Sequence, residues 1–263
     1  MAGRIRVGIG GWTFEPWRGT FFPDKHPKAR ELEYASSKLT AIEINGTFYS
    51  TQKPATWADW AKRTPDDFVF SIKASRFCTN RRVLAEAGES INRFVNQGLV
   101  ELGPKLGPIL WQFAATKQFD AEDMGAFLQL LPGSVGGLPL RHAIEPRHES
   151  FRDPAFVAMA KAAGAAIVFA DDEKFPQFAD LTAGFAYARL QRQREEEPTG
   201  YNSGELDEWA EVAKGWAEGA APAGLNYIEP PVADGTPRDA FVFMINGAKV
   251  RAPAAAMALL ERI

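Results

Sequence analysis

The strongest constraint in this chain is a rhythm of eight short apolar runs rich in β-forming residues. They lie at 4–12, 41–48, 68–74, 107–113, 142–147, 165–171, 185–191 and 240–246. Parallel strands need crossovers of about a dozen residues or more, usually a helix, and every gap here is long enough to hold one. Helical spacing occupies most gaps: 28–39 with Leu32, Ala35 and Leu39 on one face, 54–63 opened by Pro54, 91–102, 121–131 behind Asp120 as a cap, 153–163, 205–218 and 252–263. The sixth gap, 173–184, contains Pro176 and reads as a loop. The expected fold is therefore α/β, a single (βα)8 TIM-like barrel with an irregular sixth βα unit, as one domain over 1–263. An open doubly wound sheet is the alternative, but Gly8, Gly10 and Gly11 do not fit its phosphate-binding fingerprint.

Length supports one barrel, since 263 residues exceed the usual single domain unless the fold is of this kind. With 30 basic and 33 acidic side chains the net charge is −3, so no overall positive field draws the chain to nucleic acid or an anionic membrane. No apolar run approaches the roughly 18 to 20 residues needed to span a bilayer. Cys78 is the single cysteine, which rules out an internal disulfide framework and suits a reducing cytosol. The start MAGRIRVGIGGW lacks the pattern of a secretory signal, so a cytoplasmic location is expected.

Strands covered on both faces should be almost wholly apolar, and the exceptions here gather at carboxyl ends, where barrel active sites lie. Glu43 and Asn45 share a face, as do Glu145 and Arg147, and Arg189 and Gln191; Lys73, Gln112, Asp171 and Asn246 end their strands. Each alone reads as a solvated rim or an ion pair, and His148 as an ordinary exposed histidine; together at one barrel end they point to a ligand site. Lys73, Arg147 and Arg189 would grip a carboxylate or phosphate, and Glu43, Glu145 and His148 would transfer protons. Asn45, Gln112, Asp171 and Asn246 would orient the substrate, while Trp12, Trp17, Phe48 and Tyr49 are aromatics able to stack on a sugar. A glycosidase would set Glu43 and Glu145 on either side of a scissile bond. A divalent ion on Glu43, Glu145, Asp171 and His148 is chemically open, but no spacing specifies it, so no metal or cofactor is expected.

Six segments, VGIGGWTFEPWRGTFFP (7–23), EINGTFYSTQKPATWADWAKRTPDDFVFSIKA (43–74), LGPILWQF (106–113), IEPRHESF (144–151), FADD (169–172) and YARLQ (187–191), with Tyr201 and Trp209, carry a resemblance. Over nearly its whole length the chain resembles the YecE-like proteins grouped as domain of unknown function 72. The resemblance implies a single-domain TIM-like barrel with a pocket at Trp12, Glu43, Asn45, Lys73, Gln112, Glu145, Arg147, His148, Asp171 and Arg189. It implies no reaction. Where the family tends to have R-L-H-G, this chain has Arg189, Leu190, Gln191 and Arg192; Met244, Ile245, Asn246 and Gly247 stand where the last strand commonly reads F-N-N-D, and Gly10 stands where serine is usual. The expected function is an enzyme, a hydrolase, lyase or isomerase, acting by acid/base chemistry on a small polar, anionic or sugar-like substrate. Alternatives are a non-catalytic module binding a small molecule, or RNA through the basic loop 189–194, and a metal-assisted hydrolase or isomerase. The acidic run 195–197 and the net charge disfavour nucleic acid.

Overall fold

The computed structural model describes residues 2–263, so the domain expected over 1–263 begins at Met1, outside the described residues. Among the described residues ten strands form: β1 Ile5–Gly10, β2 Ala41–Ile44, β3 Val69–Lys73, β4 Leu106–Gln112, β5 Ser134–Val135, β6 Leu138–Pro139, β7 His142–Glu145, β8 Ala166–Asp171, β9 Phe185–Leu190 and β10 Asp239–Met244. Eight close a parallel barrel in the order β1-β10-β9-β8-β7-β4-β3-β2, and β5 with β6 makes a small antiparallel hairpin that the sequence pattern does not announce. Closure runs through β1, where Ile9 pairs with Met244 of β10 on one side and Ile42 of β2 on the other. An open sheet is thereby excluded.

The helices are α1 Glu31–Lys38, α2 Pro54–Lys62, α3 Arg76–Thr79, α4 Gly88–Val95, α5 Ala121–Leu130, α6 Pro154–Ala162, α7 Ser203–Glu218 and α8 Ala252–Leu260. Local chemistry sets their starts. Asp120 accepts from the backbone N–H of Asp123 to cap α5, and Asn202 with Glu205 forms a reciprocal capping box on α7, worth about 1 kcal/mol. The helix expected over 91–102 is broken. Gly98, at φ 114°, adopts a left-handed conformation that separates α4 from a 3-10 segment, Leu99–Lys105, carrying Pro104. Apolar periodicity continues across that break, which hid it. Among the described residues no helix forms between β8 and β9, in keeping with the loop expected there.

Alternation along each strand builds two separate cores. One face of the strands, with Ile42, Ile44, Phe70, Ile72, Ile109, Trp111, Ile144, Ile167 and Phe169, packs against the helices. The opposite face, with Ala41, Val69, Leu110, Ala143, Val168, Phe185, Tyr187, Phe241 and Phe243, fills the barrel interior. Continuing each inward series two residues towards the carboxyl end reaches Glu43, Ser71 and then Lys73, Gln112, Glu145 and Arg189. The interior is thus apolar below and polar at the mouth.

Candidate functional site

Arg189, only 2% exposed, lies between two carboxylates that are wholly inaccessible. Its Nε and Nη2 donate to Glu43 Oε2 and Oε1 at 3.1 and 3.0 Å, and its Nη1 donates to Glu145 Oε2 at 2.7 Å. Burying charges costs several kcal/mol each unless they are paired and their remaining hydrogen-bonding sites filled, and here the oxygens of both carboxylates are occupied. Tyr187 donates its hydroxyl to Glu43 Oε2 at 2.7 Å and sits 2.7 Å from Ser71 Oγ. Burial and the Glu43 charge hold the Tyr187 phenol well above its usual range, so it stays a donor. Gln112 Nε2 lies 2.9 Å from both oxygens of Glu145, and Arg147 Nε donates to Oε1 at 2.9 Å. Burial alone would raise the Glu145 pKa, but the Arg189 and Arg147 guanidiniums outweigh it and hold the carboxyl below its ordinary value.

Above this floor opens a cavity of about 370 Å3 lined by Asn45, Lys73, Gln112, Arg147, Arg189, Asn246 and Lys249, with Phe48 and Tyr49 as its aromatic rim and the buried Trp17 in its wall. Among the described residues no carboxylate lines it. Arg189 spends three of its five N–H groups on Glu43 and Glu145, leaving two for a ligand. Because Gln112 Nε2 is committed to Glu145, the amide oxygen is turned to Lys73, whose Nζ donates to it at 2.8 Å. The same ammonium sits 4.4 Å from the centre of the Phe48 ring. Burial and the neighbouring Arg189 charge push Lys73 down to about 8. Lys249 rests over Phe14 and Trp17, at 4.5 and 5.6 Å, and burial lowers its pKa too.

Glu43, Asn45, Lys73, Gln112, Glu145, Arg147 and Arg189 are thus brought together. The two glutamates, however, lie beneath the cavity with their oxygens occupied. A guanidinium is inserted between them, and the arrangement for a glycosidase is not formed. Three other candidates are placed elsewhere. Asp171 has the parity of Ile167 and Phe169, so it faces the helices; it pairs with Arg192 Nε at 3.0 Å in an adjoining cavity of about 880 Å3. There burial, opposed by Arg192, raises its pKa to about 6. Trp12 follows Gly11, whose φ of 73° ends the strand alternation, and packs edge-on against Trp60 at 4.9 Å. His148 Nδ1 accepts the backbone N–H of Ser150 at 3.1 Å and contacts its hydroxyl at 2.8 Å, capping the turn Glu149–Phe151. Asn246, at φ 59°, lines both cavities and donates to Gln191 Oε1 at 2.7 Å.

Among the described residues no group of three or more His, Cys, Asp or Glu side chains is placed to hold a metal ion, so the quartet of Glu43, Glu145, Asp171 and His148 does not converge. The basic loop is neutralised: Arg189 is buried, Arg192 pairs with Asp171, and Arg194 Nη2 pairs with Glu205 Oε2 at 2.6 Å. Tyr187, Ser71 and Lys249 are parts of the mouth that the sequence reading did not single out. The first two carried a signal, since they precede Arg189 and Lys73 by two residues on the inward face. Lys249 carried none, lying in the turn after the last strand.

The family described as Protein of unknown function DUF72 matches residues 6–263. The chain belongs to this family. A curated relative, UPF0759 protein YunF of Bacillus subtilis (strain 168), is 27% identical over 157 residues, which is 58% of this chain and 54% of the relative. The match thus spans about half the length of that protein. Among solved structures, a DUF72 family protein from Thermotoga maritima MSB8 superimposes with a TM-score of 0.74 at 23% identity, covering 98% of this chain and 97% of its own. A DUF72 family protein from Enterococcus faecalis V583 gives 0.70 at 18% identity, with 98% and 97% covered. At these identities the two structures establish the shared barrel fold of this DUF72 chain. No helix is long and apolar enough to cross a membrane among the described residues.

Proposed function

We propose that this DUF72 chain acts as a single barrel domain, an enzyme that binds a small anionic, polar molecule at the barrel mouth and acts on it by acid/base chemistry. One observation carries the reading: among the described residues Lys73, Arg147, Arg189 and Lys249 line a cavity that no carboxylate lines, above two carboxylates whose oxygens are already occupied. A phosphate or carboxylate entering it would meet two spare Arg189 N–H groups, the free guanidinium nitrogens of Arg147 and two ammonium groups. The aromatic rim of Phe48 and Tyr49 favours a flat or sugar-like remainder on the same molecule. Proton transfer falls to Lys73, which lines the cavity with its pKa pushed down to about 8, and not to Glu43, Glu145 or His148.

A thermal-shift panel tests this. Inorganic phosphate and glucose 6-phosphate should raise the melting temperature of the protein, glucose alone should not, and Arg147→Met should abolish most of the shift. Equal stabilisation by glucose and glucose 6-phosphate, or a shift that survives in Arg147→Met, would show that the mouth does not select for the anion.

A further inference from the structure

Lys73 differs from an ordinary anion-binding lysine in what surrounds it. Among the described residues no carboxylate lies within 4.0 Å of its ammonium, although Glu43 and Glu145 are part of the same network. Both are occupied by Arg189, Arg147, Gln112 and Tyr187, so their charge is spent on neighbours. What remains for Nζ is the amide oxygen of Gln112, the face of Phe48 and the open cavity. That amide oxygen, fixed in direction by Glu145, accepts an N–H from the amine in either protonation state. It can hold the nitrogen in place when the proton is lost and leave the lone pair free.

We propose that Lys73 is a covalent site, whose amine forms an imine with the carbonyl carbon of a small anionic oxo compound, a 2-oxo acid or a phosphorylated ketone or aldehyde. This rests on the anion-binding reading of the mouth, since Arg147, Lys249 and the spare N–H groups of Arg189 are what would hold the carboxylate or phosphate beside Nζ. The neutral amine adds its lone pair to the carbonyl carbon while the π electrons move to oxygen, which takes up a proton. Nitrogen loses a proton to give the carbinolamine; a second protonation on oxygen then expels water as the nitrogen lone pair closes the C=N bond. The net change is amine plus carbonyl plus one proton going to protonated imine plus water, and no oxidant or reductant takes part. Desolvation together with adjacent cations is the physical route by which an enzymic lysine becomes a nucleophile, and both act here. With a pKa of about 8, roughly a tenth of the Lys73 population is unprotonated at pH 7.

The experiment is borohydride trapping on the full chain with pyruvate, glyoxylate and dihydroxyacetone phosphate as probes, read by peptide mass spectrometry at pH 8. The expected result is a reduced adduct on the peptide carrying Lys73 at least tenfold above any other lysine for one or more probes. The adduct should be suppressed by inorganic phosphate, absent from Lys73→Arg, and about tenfold weaker in Arg147→Met at the same probe concentration, with circular dichroism showing both variants folded. Adducts spread evenly over surface lysines, or confined to Lys249, overturn the proposal. So does the absence of any adduct while phosphate still stabilises the protein, and in that case the anion site itself stands. Failure of phosphate either to stabilise or to protect refutes the anion site and the imine together.

Discussion

Two lysines of this barrel, Lys105 buried and Lys73 half-buried, face opposite fates. Lys105, 7% exposed, ends the 3-10 segment before β4 and sends its ammonium to Ala61 O at 2.5 Å and Thr64 O at 2.7 Å, with Thr64 Oγ1 at 3.4 Å. Ala61 lies in the last turn of α2 and Thr64 just beyond its end, where a cation meets orphaned acceptors and the negative end of the helix dipole. Lys73 has one amide oxygen and one ring face, and the rest of its surroundings is cavity. The contrast teaches how to separate a structural charge from a chemical one. Residue type is the same, and Lys105 is buried while Lys73 is half-buried; the number of acceptors aimed at the nitrogen differs, and so does the presence of space beside it.

The sharpest way to break the contrast lies in the floor beneath Lys73. Glu145→Ala strands Arg189 and Arg147 beside a void and should cost about 3 to 5 kcal/mol in urea denaturation, because removing one partner of a buried pair leaves an uncompensated charge. Next, Lys105→Met leaves the Ala61 and Thr64 carbonyls without their donor and should cost about 2 to 4 kcal/mol. Lys73→Met, by comparison, should move stability by no more than about 1 kcal/mol while removing ligand chemistry, since a desolvated cation is lost at the expense of one amide contact. If Lys73→Met proved as destabilising as Lys105→Met, Lys73 would be a structural lysine too. Arg147→Met should weaken phosphate binding about tenfold by calorimetry, or about 1.4 kcal/mol.

The smallest effect concerns the other end of the barrel. His142 accepts the Trp111 indole N–H at Nδ1, 3.0 Å away, and its Nε2 lies 2.9 Å from Pro132 O. Burial lowers its pKa, more than the contact with Pro132 O raises it. The unfolded chain then takes up this proton first as the pH falls below about 6.5, so the contribution of neutral His142 is fully present above that pH and fades below it. Denaturation midpoints should decline between pH 6.5 and 5, and His142→Gln should flatten that slope. Phosphate affinity should change in a different window, weakening as Lys73 loses its proton around pH 8.

Much of the barrel was legible because its signals are local and repeated. Strand runs alternate with helical periodicity, Asp120 caps α5, and Pro176 sits in the one crossover without a helix. The break at Gly98 was not legible, because a single left-handed residue leaves the apolar spacing on either side intact. In the mouth, parity along the strands decided the outcome. Glu43, Lys73, Gln112, Glu145 and Arg189 continue inward series; Asp171 ends a strand as they do but on the helix-facing parity, and it lies in the adjoining cavity. Trp12 and His148 fall beyond strand ends, at Gly11 and in a capped turn, where alternation no longer predicts direction. What sequence could not supply was the saturation of the two glutamates. That depends on Arg189 and Gln112 arriving from strands 44 and 33 residues away from Glu145.

The most direct test is an NMR titration of Lys73, followed through its 13Cε resonance and assigned by comparison with Lys73→Arg, with and without inorganic phosphate. The mouth described here predicts a midpoint near 8 in the free protein and an upward shift when phosphate fills the cavity, because an anion beside the amine favours its charged form. A midpoint at the ordinary lysine value of about 10.4, or one that phosphate leaves unmoved, would contradict it.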